Sequence, residues 1–74
     1  MKQNISIDNG NTYQTASELT EQQVIDVYDQ VDVSLLSDAT RMAAEDASAD
    51  LDGIEAKRAY IAKIAELDGE ICLG

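Results

Sequence analysis

The spacing of apolar residues changes once along this 74-residue chain. Over residues 4–8 polar and apolar residues alternate with a period of two, which is typical of a half-buried β-strand. From Leu19 to Leu67 apolar residues recur every three or four positions, which is typical of amphipathic helices. This order predicts an α+β fold in which helices cover one face of a small sheet.

The N-terminal alternation is interrupted by Asn9-Gly10, the strongest two-residue signal for a hairpin, because both central residues of a type I′ turn need positive φ. We predict antiparallel strands over 4–8 and 11–15 with Ile5, Ile7 and Tyr13 facing the core. Residues 70–73 form a predicted closing strand that joins this hairpin. A hairpin alone is marginal in water, so the rest of the chain must cover it.

Three helices are predicted between the hairpin and the closing strand. Thr20 and Gln23 have the spacing of a capping box, which places the first helix near 20–31. Ser34 or Ser37 caps the second helix, and Asp50 or Asp52 caps the third, near 53–67. Gly69 is the predicted stop of the third helix. The predicted order is therefore ββαααβ in a single domain over residues 1–74.

The apolar positions of the second and third helices predict which faces are buried. The second has Leu35, Leu36, Ala39, Met42, Ala43 and Ala47. The third has Ile54, Ile61, Ile64 and Leu67, with Tyr60 beside them. A chain this short buries a modest fraction of its surface, so its predicted stability is low unless it binds a partner or dimerises.

Acidic residues outnumber basic residues by fifteen to five, giving a formal charge of −10. Between Lys2 and Lys57 the sequence contains twelve carboxylates and a single basic residue, Arg41. Binding to nucleic acid requires cations that neutralise phosphates, and binding to an anionic membrane surface requires them too. The charge therefore predicts a partner with a basic protein surface and argues against direct binding to nucleic acid or membrane.

Several carboxylates share helix faces. Asp26 and Asp29 lie three residues apart, and Asp38 and Glu45 lie seven apart. Carboxylates two turns apart, roughly 10 Å, form a line of charge comparable in sign to a phosphate backbone. We predict a partner-binding surface of Asp26, Asp29, Asp32, Asp38, Glu45 and Asp46. The alternative is that the acidity serves solubility alone.

The sequence contains no pattern that indicates catalysis or metal binding. It has no histidine, which removes the usual general base near neutral pH and every Ser–His or Cys–His pair. Residues 50–53 (DLDG) resemble part of a calcium loop, but Ser48 and Ala59 occupy its two terminal ligand positions. We therefore predict a non-enzymatic protein without a catalytic, metal or cofactor site.

Cys72 lies in an apolar run, which predicts a buried structural cysteine. A single cysteine fits a reducing compartment, and the N-terminus lacks the apolar stretch of a signal peptide. The predicted location is the cytoplasm. Tyr13, Tyr28 and Tyr60 are candidate interface anchors, although at least two are expected inside so small a core. The bases Lys57, Arg58 and Lys63 are expected to balance Glu55 and Glu66.

Residues 5–13 (ISIDNGNTY) and 67–74 (LDGEICLG) resemble the ends of small acidic accessory proteins of phages and conjugative elements. That group includes anti-CRISPR and anti-restriction inhibitors, some of which occupy the DNA-binding surface of a nuclease. The resemblance implies a DNA mimic that inhibits a nucleic-acid-binding defence complex in the host cytoplasm. It covers both ends but not the middle, and it supplies no functional residues. The alternative is a small structural or assembly protein that forms a homodimer.

Overall fold

The first and last strands of the fold pair with each other. In the computed structural model, which describes residues 3–31, 34 and 36–73, β1 (Ile5–Ser6) and β2 (Ile71–Cys72) form a two-stranded parallel sheet. Ile5 lies opposite Ile71, and the backbone N–H of Ile71 donates to the carbonyl of Asn4 at 2.9 Å. The predicted closing strand is therefore confirmed.

The predicted hairpin is wrong beyond one residue pair. Ile5 and Gln14 exchange backbone hydrogen bonds of 3.0 and 2.8 Å, but no strand forms over 11–15. Asn9 and Gly10 do adopt the expected positive φ, 60° and 87°. In an antiparallel ladder, residue pairs that exchange hydrogen bonds alternate with pairs that do not. A two-residue turn at Asn9-Gly10 would make Ile5 and Gln14 a pair that does not, so their observed mutual bonds are inconsistent with that turn. The order of elements is thus βαααβ, still a mixed α+β fold.

Side chains replace the missing ladder. The Oγ of Ser6 accepts from the N–H of Gly10 at 2.8 Å. The carboxylate of Asp8 accepts from the N–H and the Oγ1 of Thr12, at 3.0 and 2.6 Å. Such local bonds offer the backbone an alternative to strand pairing. The bonds from Thr12 also lower the pKa of Asp8.

The structure confirms the three predicted helices. They are α1 (Glu21–Gln30), α2 (Asp38–Ser48) and α3 (Gly53–Asp68), and a 3₁₀ turn at Ala16–Glu18 precedes α1. At the start of α1, the Oγ1 of Thr20 accepts from the N–H of Gln23 at 3.2 Å, and the Oε1 of Gln23 accepts from the N–H of Thr20 at 2.9 Å. Ser37 is the residue that caps α2.

Helix α3 lies at the centre of the molecule, with α1 and α2 packed against it. Its stop is Gly69, as predicted, at φ 97°. No helix in the described ranges has the length and apolar content needed to cross a bilayer. The buried core of the described chain consists of Ile5, Ala16, Leu19, Val24, Val27, Ala44, Ile61, Ile64, Ala65 and Ile71.

The buried face of α2 differs from the predicted one. Ala39 is exposed and the side chain of Met42 is 62% exposed, whereas Thr40 and Ala44 are buried. Helix α2 packs against α3, and at about 100° per residue Met42 lies on the side of α2 opposite Thr40 and Ala44. Leu67, predicted to be buried, is 51% exposed in the last turn of α3. Leu35 lies outside the described residues.

Candidate partner-binding surface

The predicted partner-binding carboxylates lie on two helices. Asp26 and Asp29 belong to α1, while Asp38, Glu45 and Asp46 belong to α2, and all five are exposed. We call these five described residues the acidic surface. Asp32, the sixth predicted contact, lies outside the described residues.

On α1, the two carboxylates point in different directions relative to the core. Val24 and Val27 are fully buried against the rest of the molecule. At about 100° per residue, Asp29 lies nearly opposite that buried pair, and Asp26 lies on one flank of the helix. Asp29 therefore faces solvent directly, and Asp26, about 60° away around the helix, is exposed beside Ile7 and Leu73.

On α2, the predicted pairing of two acids along one face is compatible with the structure. Asp38 and Glu45 lie seven residues apart, about 10 Å along the axis, and both point away from buried Thr40 and Ala44. Arg41 forms an ion pair of 3.4 Å with Asp38, which lies three residues earlier on the helix. This pair is exposed, so it contributes little to stability, and it neutralises one of the three carboxylates of α2.

The basic side chains of α3 are engaged within the molecule. The Nζ of Lys63 forms a 3.1 Å ion pair with Glu66, as predicted. Arg58 does not balance an acid: its Nη1 donates to the carbonyls of Ala16 and Leu19, the latter at 2.8 Å. These bonds join the 3₁₀ turn to α3.

Lys57 also has a different partner from the one predicted. Its Nζ lies 5.2 Å from the ring centroid of Tyr28, a cation–π contact. The ring of Tyr28 packs edge-on against Tyr60, with centroids 5.4 Å apart. Burial, together with the nearby charge of Glu45, raises the pKa of Tyr60.

These contacts leave most of the acidic surface without intramolecular compensation. Within the described ranges, ion pairs join only Arg41 to Asp38 and Lys63 to Glu66. Asp26, Asp29, Glu45 and Asp46 therefore have no cation of their own there. An exposed one-sign surface of this kind attracts cationic partners and repels anionic ones.

Asp26 also borders a small cleft. The cleft has a volume of about 170 Å³, and Ile7 and Leu73 form its apolar part. Gln23, Asp26 and Gln30 of α1 form its polar part. Neither the apolar alternation nor the acidic spacing predicts this cleft, because its walls come from opposite ends of the chain.

The prediction of a buried cysteine is wrong, since Cys72 is exposed. In a strand successive side chains point to opposite faces, so burying Ile71 turns Cys72 outward. Tyr13 is 37% exposed beside it, contrary to its predicted place in the core, and the charge of Glu70 raises the pKa of Tyr13. With Tyr28 39% exposed, two tyrosines reach the surface where at most one was expected.

Comparison of the chain with protein-family models, curated proteins and solved structures gives no match. The described part of the chain contains no group of three or more Cys, Asp or Glu side chains placed to hold a metal ion. The feature that remains for partner recognition is the acidic surface with its bordering cleft.

Proposed function

We propose that this protein is a non-enzymatic inhibitor that docks its acidic surface onto the basic, nucleic-acid-binding groove of another protein. The observation that carries the proposal is the uncompensated charge of Asp26, Asp29, Glu45 and Asp46 on a folded, helical support. A groove that binds DNA has the complementary sign.

The proposal extends to a class of target. The proposed target is a host defence complex of the kind that anti-CRISPR proteins inhibit. Such a complex must bind nucleic acid, so it has a basic groove that a small acidic protein of a phage or mobile element can block. The acidic surface would act as a DNA mimic in the host cytoplasm. The support for this step is the charge and the resemblance of residues 5–13 and 67–74 described above.

Capture from a bacterial lysate tests the proposal. The immobilised protein is incubated with the lysate at about 0.1 M and at about 1 M salt. Between these two conditions the electrostatic screening length falls from about 10 Å to about 3 Å. A nucleic-acid-binding protein should be captured at low salt and released at high salt. Added DNA should compete for the captured protein, because both ligands use the same groove.

A double charge reversal identifies the surface. In D29K/E45K the capture should be lost, and in the matched control E66K/D68K it should persist, although both variants change the net charge by the same amount. Glu66 and Asp68 are also exposed, but they lie at the end of α3. Capture that resists DNA competition, or that is equal in the two variants, contradicts DNA mimicry.

The alternative, a structural or assembly protein whose acidity only aids solubility, predicts a different pattern. Self-association would then be measurable by sedimentation and would survive D29K/E45K. Polar substitution of the most exposed large apolar side chains of the described residues, Met42 and Leu67, would then disrupt it.

A further inference from the structure

The cleft beside α1 combines apolar walls with a carboxylate. Ile7 and Leu73 are half-buried and come from the two ends of the chain, held together by the parallel sheet. Asp26 of α1 lies at the edge of the cleft. The Nε2 of Gln22 donates to its Oδ1 at 3.0 Å. This bond orients the carboxylate and leaves Oδ2 available to a ligand.

The cleft is electrostatically suited to a cation. Asp26 forms no ion pair within the described residues. Gln30 is the last residue of α1, and the final turn of this helix carries no basic residue. The C-terminal end of a helix bears about half a negative charge, so the dipole of α1 adds to the charge of Asp26.

The size of the cleft limits its occupant. Its volume of about 170 Å³ lies below the roughly 300–1,000 Å³ of pockets that bury whole small molecules. A single long side chain is the occupant of matching scale. Its aliphatic stem would lie against Ile7 and Leu73, and its charged end would reach Asp26.

We propose that this cleft receives one arginine side chain of the partner, and this inference rests on the proposed function. Arginine fits better than lysine because its planar guanidinium has five donors for several acceptors at once. Besides Asp26, Gln23 and Gln30 line the cleft, and each carries a side-chain carbonyl that can accept from a guanidinium. The Oε1 of Gln23 accepts one bond from Thr20 and retains a second lone pair.

Titration with two small probes tests the inference directly. Nα-acetyl-L-arginine amide and Nα-acetyl-L-lysine amide carry the same charge and are added to the ¹⁵N-labelled full chain at low salt. The arginine probe should give saturable shifts at the amides of Ile7, Asp26 and Leu73 and bind more tightly than the lysine probe. Equal affinity for both probes, or the absence of saturable shifts at these amides, overturns the proposal.

Two matched variants of α1 give the second readout. D26N should weaken binding of the arginine probe by about tenfold, since one charge-assisted hydrogen bond is lost. D29N removes the same charge from the next turn of α1, outside the cleft lining, and should change the affinity by less than about twofold. An equal effect of the two variants overturns the proposal, because it reduces the binding to non-specific attraction.

The same variants separate this inference from the proposed function. If wild type, D26N and D29N capture a DNA-competed partner equally and D26N does not weaken probe binding, the cleft proposal fails and the inhibitor function stands. If no nucleic-acid-binding protein is captured but the arginine probe binds through Asp26, the proposed function fails and the arginine site stands.

Discussion

The side-chain amide of Asn4 donates a 2.6 Å hydrogen bond to the main-chain carbonyl of Ala65, near the C-terminal end of α3. It also donates to the carbonyl of Gly69 at 2.7 Å, so one side chain satisfies two carbonyls of a helix end that lack intrahelical partners. The residue before β1 therefore caps the central helix.

The first prediction concerns this cap. N4A should lower the free energy of unfolding by about 1–3 kcal/mol, since the part-buried carbonyl of Ala65 and the exposed carbonyl of Gly69 lose their donor. N4D should be at least as destabilising at pH 7, because a carboxylate would then face carbonyls at the negative end of the helix dipole. Urea unfolding followed by circular dichroism measures both. An N4D variant as stable as wild type would contradict the capping role.

The second prediction concerns Arg58, whose guanidinium joins α3 to the 3₁₀ turn through the carbonyls of Ala16 and Leu19. R58K should cost about 1–2 kcal/mol, because an ammonium group does not reproduce the planar donor geometry. K63M is the matched control. It removes one charge and an exposed ion pair, and should change stability by less than about 1 kcal/mol. R58K keeps the charge, so a loss no larger than that of K63M would contradict the role of guanidinium geometry at residue 58.

The third prediction is a pH dependence that arises from Asp8. Hydrogen bonds from Thr12 hold the pKa of Asp8 below its ordinary value of 3.8. A carboxyl with a depressed folded-state pKa stabilises the fold above its unfolded pKa, and this stabilisation disappears as pH falls through the folded value. D8N should therefore destabilise at pH 7, and its difference from wild type should shrink steadily below about pH 4.

An NMR titration provides an independent check on the cause. T12V removes the Oγ1 donor but keeps the backbone N–H, so it should raise the pKa of the Asp8 carboxyl toward 3.8. An unchanged titration of Asp8 in T12V would assign the shift to other groups.

The fourth prediction compares two glycines with positive φ. An added Cβ at Gly10 (φ 87°) would lie 3.3 Å from the hydroxyl of Tyr13, whereas one at Gly53 (φ 59°) would meet no atom within 4 Å. Both G10A and G53A should lose about 1–2 kcal/mol for the left-handed backbone, with G10A the worse of the two. In a Y13F background the excess loss of G10A should disappear. Thermal unfolding of G10A, G53A, Y13F and G10A/Y13F measures these losses. If G10A remains the more destabilising glycine substitution in the Y13F background, the Tyr13 hydroxyl is not the cause.

The local signals in the sequence predict the helices well. Thr20 with Gln23, Ser37 and Gly69 mark helix ends through bonds or φ values that involve near neighbours, so their spacing carries the information. Asn9 and Gly10 also adopt the φ values that their types favour. The hairpin still fails to extend, because Ser6, Asp8 and Thr12 satisfy the loop with side-chain bonds.

The remaining features depend on contacts distant in sequence. Arg58 binds carbonyls 39 and 42 residues earlier, and no local pattern indicates such partners. The face of α2 follows from the close approach of α3 to Thr40 and Ala44, which outweighs the apolar character of Met42. For the candidate site, the exposure of the carboxylates was predictable from their type. The cleft was not, because Ile7 and Leu73 meet only after the chain ends pair.

The pairing of Ile5 with Ile71 also affects how the chain folds as a ribosome makes it. Until residues 71–73 leave the exit tunnel, β1 has no parallel neighbour and the apolar side chain of Ile5 lacks part of its cover. Contacts of such long sequence separation form slowly, because most of the chain must be ordered to close the loop. The N-terminal segment will remain open to proteases until residues 71–73 have emerged, and the cleft between Ile7 and Leu73 can form only after they pair with it.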